Sequence, residues 1–346
     1  MITTHKIIFE NAKDMNKIKS ESIDLTITSP PYPMIQMWDE IFGKQNNEIE
    51  IALKGNNGEK AFELMHRELD KVWKETYRVL KSGGIACINI GDATRSINGK
   101  FQIYTNHARI LNYCLNIGFH ALPEILWIKE TNKPDKFMGS GMLPVGAYVT
   151  LEHEHILILR KDKKRDFKRE SEKLNRQRSA FFWEERNAWF SDKWKDINGV
   201  FQKLNHSKLR ERSGAYPIEL AYRLINMFSV QGDTILDPFL GTGTTILGAM
   251  ASGRNSIGYE IDNNFREFME DRIKEIKDVV EKYVKDRLEK HNEFVKKRMA
   301  EKKELKYINK NYSFPVMTSQ EINIHIPKIK SLIRKENDLF EVEHLF

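Results

Sequence analysis

The chain of 346 residues carries 56 Lys and Arg against 49 Asp and Glu, a formal net charge of +7, with 40% hydrophobic and 30% charged residues. Two cysteines exclude a disulfide framework and a cysteine-rich zinc site, and no apolar run approaches the roughly 20 residues that cross a bilayer. The N-terminus, MITTHKIIFENAKD, lacks the basic, apolar and small-residue succession of a signal peptide, so a cytoplasmic chain is expected.

In chain order, IDLTITS (23–29) predicts a buried strand that stops at Pro30-Pro31. Residues 34–58, polar and containing Gly43, Gly55 and Gly58, predict a mobile loop. Phe62, Met65, Leu69, Val72, Trp73, Tyr77 and Leu80 share one face of a helix over 60–80, which Gly83-Gly84 ends. Strands follow at 85–90, 125–129 and 155–160, with a helix at 106–117 and a Gly-, Pro- and Met-rich loop over a site at 131–147. A helix at 217–229, a strand at 234–237, a helix at 244–252 and a strand at 256–261 come next. From 264 to 303 the stripe Phe265, Met269, Ile273, Ile276, Val280, Val284 and Leu288 predicts a long charged helix, so the C-terminal region is read as a helical appendage. Strands alternating with helices imply an α/β fold: a mostly parallel twisted sheet with helices on both faces. Its ligands would lie beyond the carboxyl ends of the strands.

The positive charge is localised. Residues 160–212 hold 17 Lys and Arg against 9 Asp and Glu, a local +8 that accounts for the whole excess. Phe181, Phe182, Trp183, Trp189, Phe190 and Trp194 are interleaved with it, a composition that suits nucleic acid. Lys and Arg between 160 and 178 are therefore expected to contact phosphates.

Two motifs sit at predicted strand ends. In TILDPFLGTGTT (234–245), Gly241 and Gly243 let backbone approach a ligand closely, and Glu260 stands where an acidic residue can accept from ribose hydroxyls. The turn has no P-loop lysine, which disfavours a triphosphate, and Asp237 fits a ligand carrying positive charge. In TSPPYP (28–33), Pro30 and Pro31 make a rigid corner with free carbonyls, Ser29 adds a hydroxyl and Tyr32 a flat ring. That set suits a planar group bearing an amino nitrogen.

Taken together, TSPPYP (28–33), LDPFLGTGTT (236–245) and GYEID (258–262) resemble the amino-methyltransferases of DNA, in the motif order of their beta group. The resemblance runs over roughly residues 5–265 and includes LKSGGIACINIGD (80–92) and EHILILRK (154–161). It implies a Rossmann-like methyltransferase fold and S-adenosyl-L-methionine as cofactor. Asp237, Pro238, Phe239, Gly241, Thr242, Gly243 and Glu260 would bind the cofactor, and Ser29, Pro30, Pro31 and Tyr32 would act on a base flipped out of duplex DNA. The Ser form of the catalytic motif implies a cytosine-N4 enzyme, the modification arm of a restriction-modification system with its endonuclease on a separate chain. Adenine N6 on the same fold is the alternative, and a non-catalytic DNA-binding subunit or an RNA base methyltransferase are further ones. In IFENAKD (8–14) Asn11 stands where the family carries Asp, so no adenine contact is expected from it.

The expected organisation is a catalytic half (1–161), a target-recognition segment (162–205), a cofactor half (206–263) and a helical charged extension (264–346), in a monomer or homodimer. EERNAWFSDKWKDINGVFQ (184–202) reads equally as recognition surface or as a structural tie to the sheet. Cys87 and Cys114 fall within predicted elements and are expected to be inert. His153-Glu154-His155 lacks an evident third ligand, so no metal is expected.

Overall fold

In the computed structural model, which describes residues 1–129, 138–199, 216–302, 305–336 and 338–345, the strand Ile23–Thr28 is buried along its whole length. A strand covered on both faces must read this way. Among the described residues it lies near the middle of a ten-stranded sheet. In chain order the strands are β1 (Ile2–Ile8), β2 (Ile23–Thr28), β3 (Leu80–Ile90), β4 (Phe119–Ile128), β5 (His153–Lys161), β6 (Lys193–Trp194), β7 (Thr234–Asp237), β8 (Asn255–Tyr259), β9 (Lys328–Arg334) and β10 (Leu339–Leu345). Across the sheet they run β6-β4-β5-β3-β2-β7-β8-β1-β10-β9. From β3 through β2, β7 and β8 to β1 the pairing is parallel. β5 lies antiparallel between β3 and β4, and the β9–β10 hairpin extends β1 antiparallel.

Alternation along β3 divides the core. Ala86, Ile88 and Ile90 pack with the helices Gly58–Val79 and Asn106–Asn116 through Met65, Leu69, Trp73 and Ile110. Cys87 faces the other way, onto Leu220, Leu224 and Ala249 of the helices Ile218–Phe228 and Thr244–Ser252. This is the expected two-faced, mostly parallel sheet of a Rossmann-like methyltransferase fold.

Three expectations change. Residues 34–58 are not a loop but a short 3-10 turn and the helices Asp39–Gln45 and Asn47–Lys54, which bury Phe42 and Ile49. The C-terminal region is helical over Phe265–Lys274 and Ile276–Ala300, and the predicted stripe is buried from Phe265 to Val284. Beyond 305 the chain turns into strands, and β10 covers the edge of β1 that would otherwise be open. The alternation in LFEVEHL explains it: Phe340, Val342 and His344 point inward.

The third change concerns the basic segment. β5 runs antiparallel, so Arg160 and Lys161 emerge at the amino ends of the parallel strands. There the Lys161 ammonium donates to the carbonyls of Tyr77 and Leu80 (2.9 Å each), and Arg165 pairs with Asp233 at the start of β7 (2.7 Å). Phe182, Trp189 and Trp194 are core residues. Trp194 belongs to the edge strand β6, and the Trp127 indole donates to the Ile197 carbonyl (2.8 Å). The described part of the segment, 162–199, thus ties the two ends of the sheet together; residues 200–205 lie outside the described residues.

Candidate active site

The carboxyl ends of β2, β3, β4, β7 and β8 and the amino end of β5 meet at one rim of the sheet. At the end of β2, the Ser29 hydroxyl lies 3.1 Å from the Tyr32 hydroxyl. Tyr32 donates to Glu154 Oε2 (2.9 Å) near the start of β5. The Asn89 amide, from β3, donates to the Tyr32 oxygen (2.9 Å) and to Glu154 Oε2 (2.6 Å). Lys129, just past β4, donates to Glu154 Oε1 (2.7 Å) and lies over the Trp127 ring. Burial and the Glu154 charge push the Tyr32 phenol well above its usual range, so it stays neutral and keeps its proton to donate. Gly91 makes room for this ring: a Cβ there would come within 2.9 Å of it. Asn106 braces the corner from below by donating to the carbonyls of Pro33 (3.1 Å) and Gly91 (3.0 Å).

The second motif follows β7. Gly241 and Gly243 take positive φ, 53° and 79°, and Gly243 starts the helix Thr244–Ser252. Glu260, directly after β8, accepts from the Gly241 N–H (2.7 Å) and the Asp262 N–H (2.8 Å), one on each carboxylate oxygen. Each oxygen keeps a further lone pair for a ligand hydroxyl. Burial, with help from the nearby Asp262 charge, raises the Glu260 carboxyl to about 7.

Asp237 is buried, and Oδ1 accepts from the Thr28 hydroxyl (2.6 Å) and the Phe239 N–H (3.0 Å). Oδ2 accepts from Thr245 (2.5 Å) and Tyr216 (3.3 Å). Four acceptor sites are filled from within the protein. Asp237 therefore joins the end of the catalytic strand to the cofactor turn, and burial raises its carboxyl above the usual range.

Both motifs open into one cavity of about 420 Å³. Ser29, Pro30, Pro31 and Tyr32 line one part, and Asp237, Pro238, Phe239, Gly241, Thr242 and Glu260 another. Gly243 is not among the lining residues; it shapes the turn, with Met269 3.1 Å from where its Cβ would be. Leu69, Val72, Phe239, Ile261 and Phe265 give the cavity apolar walls, and Asn11 also lines it. An apolar slot beside a carboxylate with free lone pairs fits an adenosyl group: the slot for the base, Glu260 for the ribose diol.

Asn89, Lys129 and Glu154 were not assigned from sequence, and Tyr216-Pro217 resembles the family's cofactor-lid region only weakly. The first and third lie within the quoted stretches LKSGGIACINIGD and EHILILRK, and Tyr216 precedes the helix-starting Pro217, but nothing local says that their side chains converge. Glu154 faces the cavity while its neighbour His155 turns to the other side. There the His155 ring stacks on His107 (centroids 3.8 Å apart), whose Nδ1 donates to Asp92 (2.8 Å). Asp92, His107 and His155 bring ligand-type atoms within 4.8 Å of one another. The two rings are nearly parallel, and Asp92 and Glu124 engage their Nδ1 atoms, so the group is built as an ionic stack. The Asp92 hydrogen bond raises His107, while burial and the His107 charge lower His155. Cys87 and Cys114 are buried and free, and burial pushes both thiols up, which leaves them poor nucleophiles.

The chain is also similar to known proteins over most of its length. Residues 23–271 match the family model described as DNA methylase. The chain is 52% identical over 342 residues to the Type II methyltransferase M.MthZI of Methanothermobacter thermautotrophicus, covering 99% of this chain and 95% of that one. It is 50% identical over 282 residues to M.MjaI of Methanocaldococcus jannaschii, covering 78% and 91%. Among solved structures, a protein of Thermus thermophilus assigned as a DNA modification methylase, in complex with S-adenosyl-L-methionine, superposes with a TM-score of 0.61 at 28% identity, covering 79% and 94%. The cytosine-N4-specific PvuII DNA methyltransferase shares the fold, with a TM-score of 0.55 at 16% identity over 81% and 92%.

Proposed function

The chain belongs to the DNA methylase family, an enzyme family that uses S-adenosylmethionine, and on that premise we propose that it methylates the exocyclic N4 nitrogen of a cytosine flipped out of duplex DNA. The reading rests on one cavity in which Ser29 and Tyr32 share a space with Glu260.

An amino nitrogen conjugated with its ring is a weak nucleophile. Ser29 Oγ and the Pro30 carbonyl accept its two hydrogens and localise the lone pair, while Tyr32 stacks on the ring. When bound, the cofactor would supply an electrophilic sulfonium methyl to this nitrogen, with the neutral thioether as leaving group, and one amino proton must leave. Ser29, Tyr32 and Glu154 form a hydrogen-bonded chain along which it can move. Glu260 and the Asp237–Thr242 turn hold the cofactor end of the line. Positioning and acceptors aimed at the developing ammonium supply the rate.

Lys129 favours cytosine over adenine. Next to the amino group and the ring nitrogen, cytosine carries its O2 acceptor, where adenine has a C2–H. The Lys129 ammonium, which spends one N–H on Glu154, has further N–H groups to donate to such an O2, whereas a C2–H offers it no acceptor. Ser29 is a neutral acceptor that can reorient beside the ring nitrogen. The biological setting that fits is the modification arm of a restriction-modification system, with cleavage by a separate endonuclease. Nucleoside mass analysis of DNA treated with enzyme and labelled cofactor should yield N4-methylcytosine. N6-methyladenine alone would overturn the base assignment and leave the enzyme class standing.

A further inference from the structure

Residues 130–151 separate Lys129 from Glu152 in sequence, and the backbones of these two are joined by an N–H···O bond of 2.7 Å. The described part, from residue 138 onward, contains a small antiparallel hairpin of Met138–Gly139 with Ala147–Tyr148. Residues 138–151 include no Asp, Glu, Lys or Arg, in a chain that is 30% charged. Its tip is apolar and unburied: Met142 is 87% exposed, Leu143 69%, Val145 99%, and Val149 on the return 85%.

This tip is shaped rather than slack. The Ser140 N–H donates to the Gly146 carbonyl (2.9 Å), and the Leu143 N–H to the Ser140 carbonyl (3.3 Å). Gly139 has a φ of +74°, and a Cβ there would stand 2.0 Å from the Gly146 oxygen. Tyr148 stacks on Phe101 (centroids 4.6 Å), which fixes the hairpin to the neighbouring Ala93–Ile97/Lys100–Tyr104 hairpin. Local bonds thus hold the apolar side chains in water, where they gain nothing for the isolated fold.

We infer that Met142, Leu143 and Val145 form a wedge that enters the DNA base stack beside the target and occupies the space the flipped base leaves. The position supports this occupant. The return side of the hairpin leads to Glu152, which accepts from the Lys129 N–H and lies two residues from Glu154. Met138, Thr150 and Leu151 at its base border a surface cavity together with Met34, Ile35 and Gln36, the residues just after the catalytic corner, and Ile35 also lines the catalytic cavity. The foot of the hairpin thus adjoins the catalytic corner through Ile35, so the partner nearest to hand for the tip is the duplex that presents its base to Tyr32. An uncharged apolar tip meets no phosphate repulsion and exchanges water for base faces, as the inserted Met, Leu and Pro side chains of DNA-kinking proteins do.

The inference rests on the flipped-base reading, and the test separates the two. The variant Met142→Ser/Leu143→Ser/Val145→Ser changes only exposed side chains, so thermal unfolding and S-adenosylhomocysteine binding should stay as in the wild type. Transfer of labelled methyl is then measured on a short duplex carrying the mapped target site, either paired or with a mismatch opposite the target base. Counting label makes the result independent of which base receives it. The wedge predicts that kcat/KM on the paired duplex falls on the order of tenfold to hundredfold, the cost of unstacking one step. The mismatch, which has already lost its pairing, should restore most of that loss. Leu143→Phe, still apolar, should retain activity on both duplexes. An equal loss on both duplexes, or no loss on either, would overturn the wedge; the latter would leave the tip to a protein partner. If the wild type itself gains nothing from the mismatch, the flipped base fails first and the wedge with it.

Discussion

Glu260 makes the cofactor site sensitive to pH in a direction that can be calculated. Burial holds its carboxyl at about 7 in the cofactor-free protein. Two backbone N–H groups already donate to it, and a ribose diol would donate two further bonds, all of which favour the carboxylate. Ligand binding should therefore pull the carboxyl down and release a proton wherever the free enzyme is protonated. With a free value near 7, about 0.1 of the molecules are ionised at pH 6 and about 0.9 at pH 8. If the ligand binds only the carboxylate form, the Kd at pH 6 should exceed that at pH 8 by about tenfold, or about 1.4 kcal/mol. Adenosine is a suitable probe, because it carries the ribose and no group that titrates in this range. Calorimetry in buffers of different ionisation enthalpy should show close to one proton released per ligand at pH 6 and almost none at pH 8. In Glu260→Gln the dependence should vanish, with affinity lowered by about 1–3 kcal/mol for the lost charge-assisted bonds. A flat Kd in the wild type, or the same slope in Glu260→Gln, would refute the reasoning.

Asp237→Asn should lower the melting temperature of the cofactor-free protein, because it disturbs the bonds to Thr28, Thr245 and Tyr216; the expected loss is about 1–3 kcal/mol, read by thermal or denaturant unfolding. A residue that served only as a ligand to the cofactor would leave the apo-protein unchanged. Tyr32→Ala should remove base stacking of about 1–3 kcal/mol from DNA binding while calorimetry finds cofactor affinity nearly intact. Ser29→Ala should lower kcat more than DNA affinity, since its hydrogen bond strengthens as the amino nitrogen becomes tetrahedral. Lys129→Met should reduce kcat/KM on a cytosine target by roughly tenfold to hundredfold, as expected for a hydrogen bond from a charged group; an undiminished rate would remove Lys129 from base recognition. Replacing Lys163, Lys164 and Lys168 by Ala should leave the log–log salt slope of DNA binding unchanged. These side chains follow β5 at the amino ends of the parallel strands, and three lost phosphate contacts would instead reduce the slope by about 2.7.

Much of this protein is written locally. The β2 strand, the Pro30-Pro31 corner, the glycine turn after β7 and the helix Gly58–Val79 follow from short-range chemistry: apolar period, fixed proline φ, and glycine at positive φ. The two motifs could therefore be found, and placed at strand ends, without coordinates. What tertiary structure decided is which distant groups meet there and which end of the sheet each segment occupies. Glu154 reaches Tyr32 across 122 positions and Asp237 reaches Thr28 across 209, contacts that no local pattern announces. Charge says less than position does. Asp237, whose charge suits a cationic ligand, lines the cavity, yet its oxygens also accept bonds from Thr28, Phe239, Thr245 and Tyr216. The basic run 160–178 looked like a phosphate surface, but the antiparallel course of β5 carries its start to the amino ends of the parallel strands, away from the cavity. Composition records how much charge a segment has. Strand direction alone determines where that charge is delivered, and direction is fixed by hydrogen-bond partners far away in the chain.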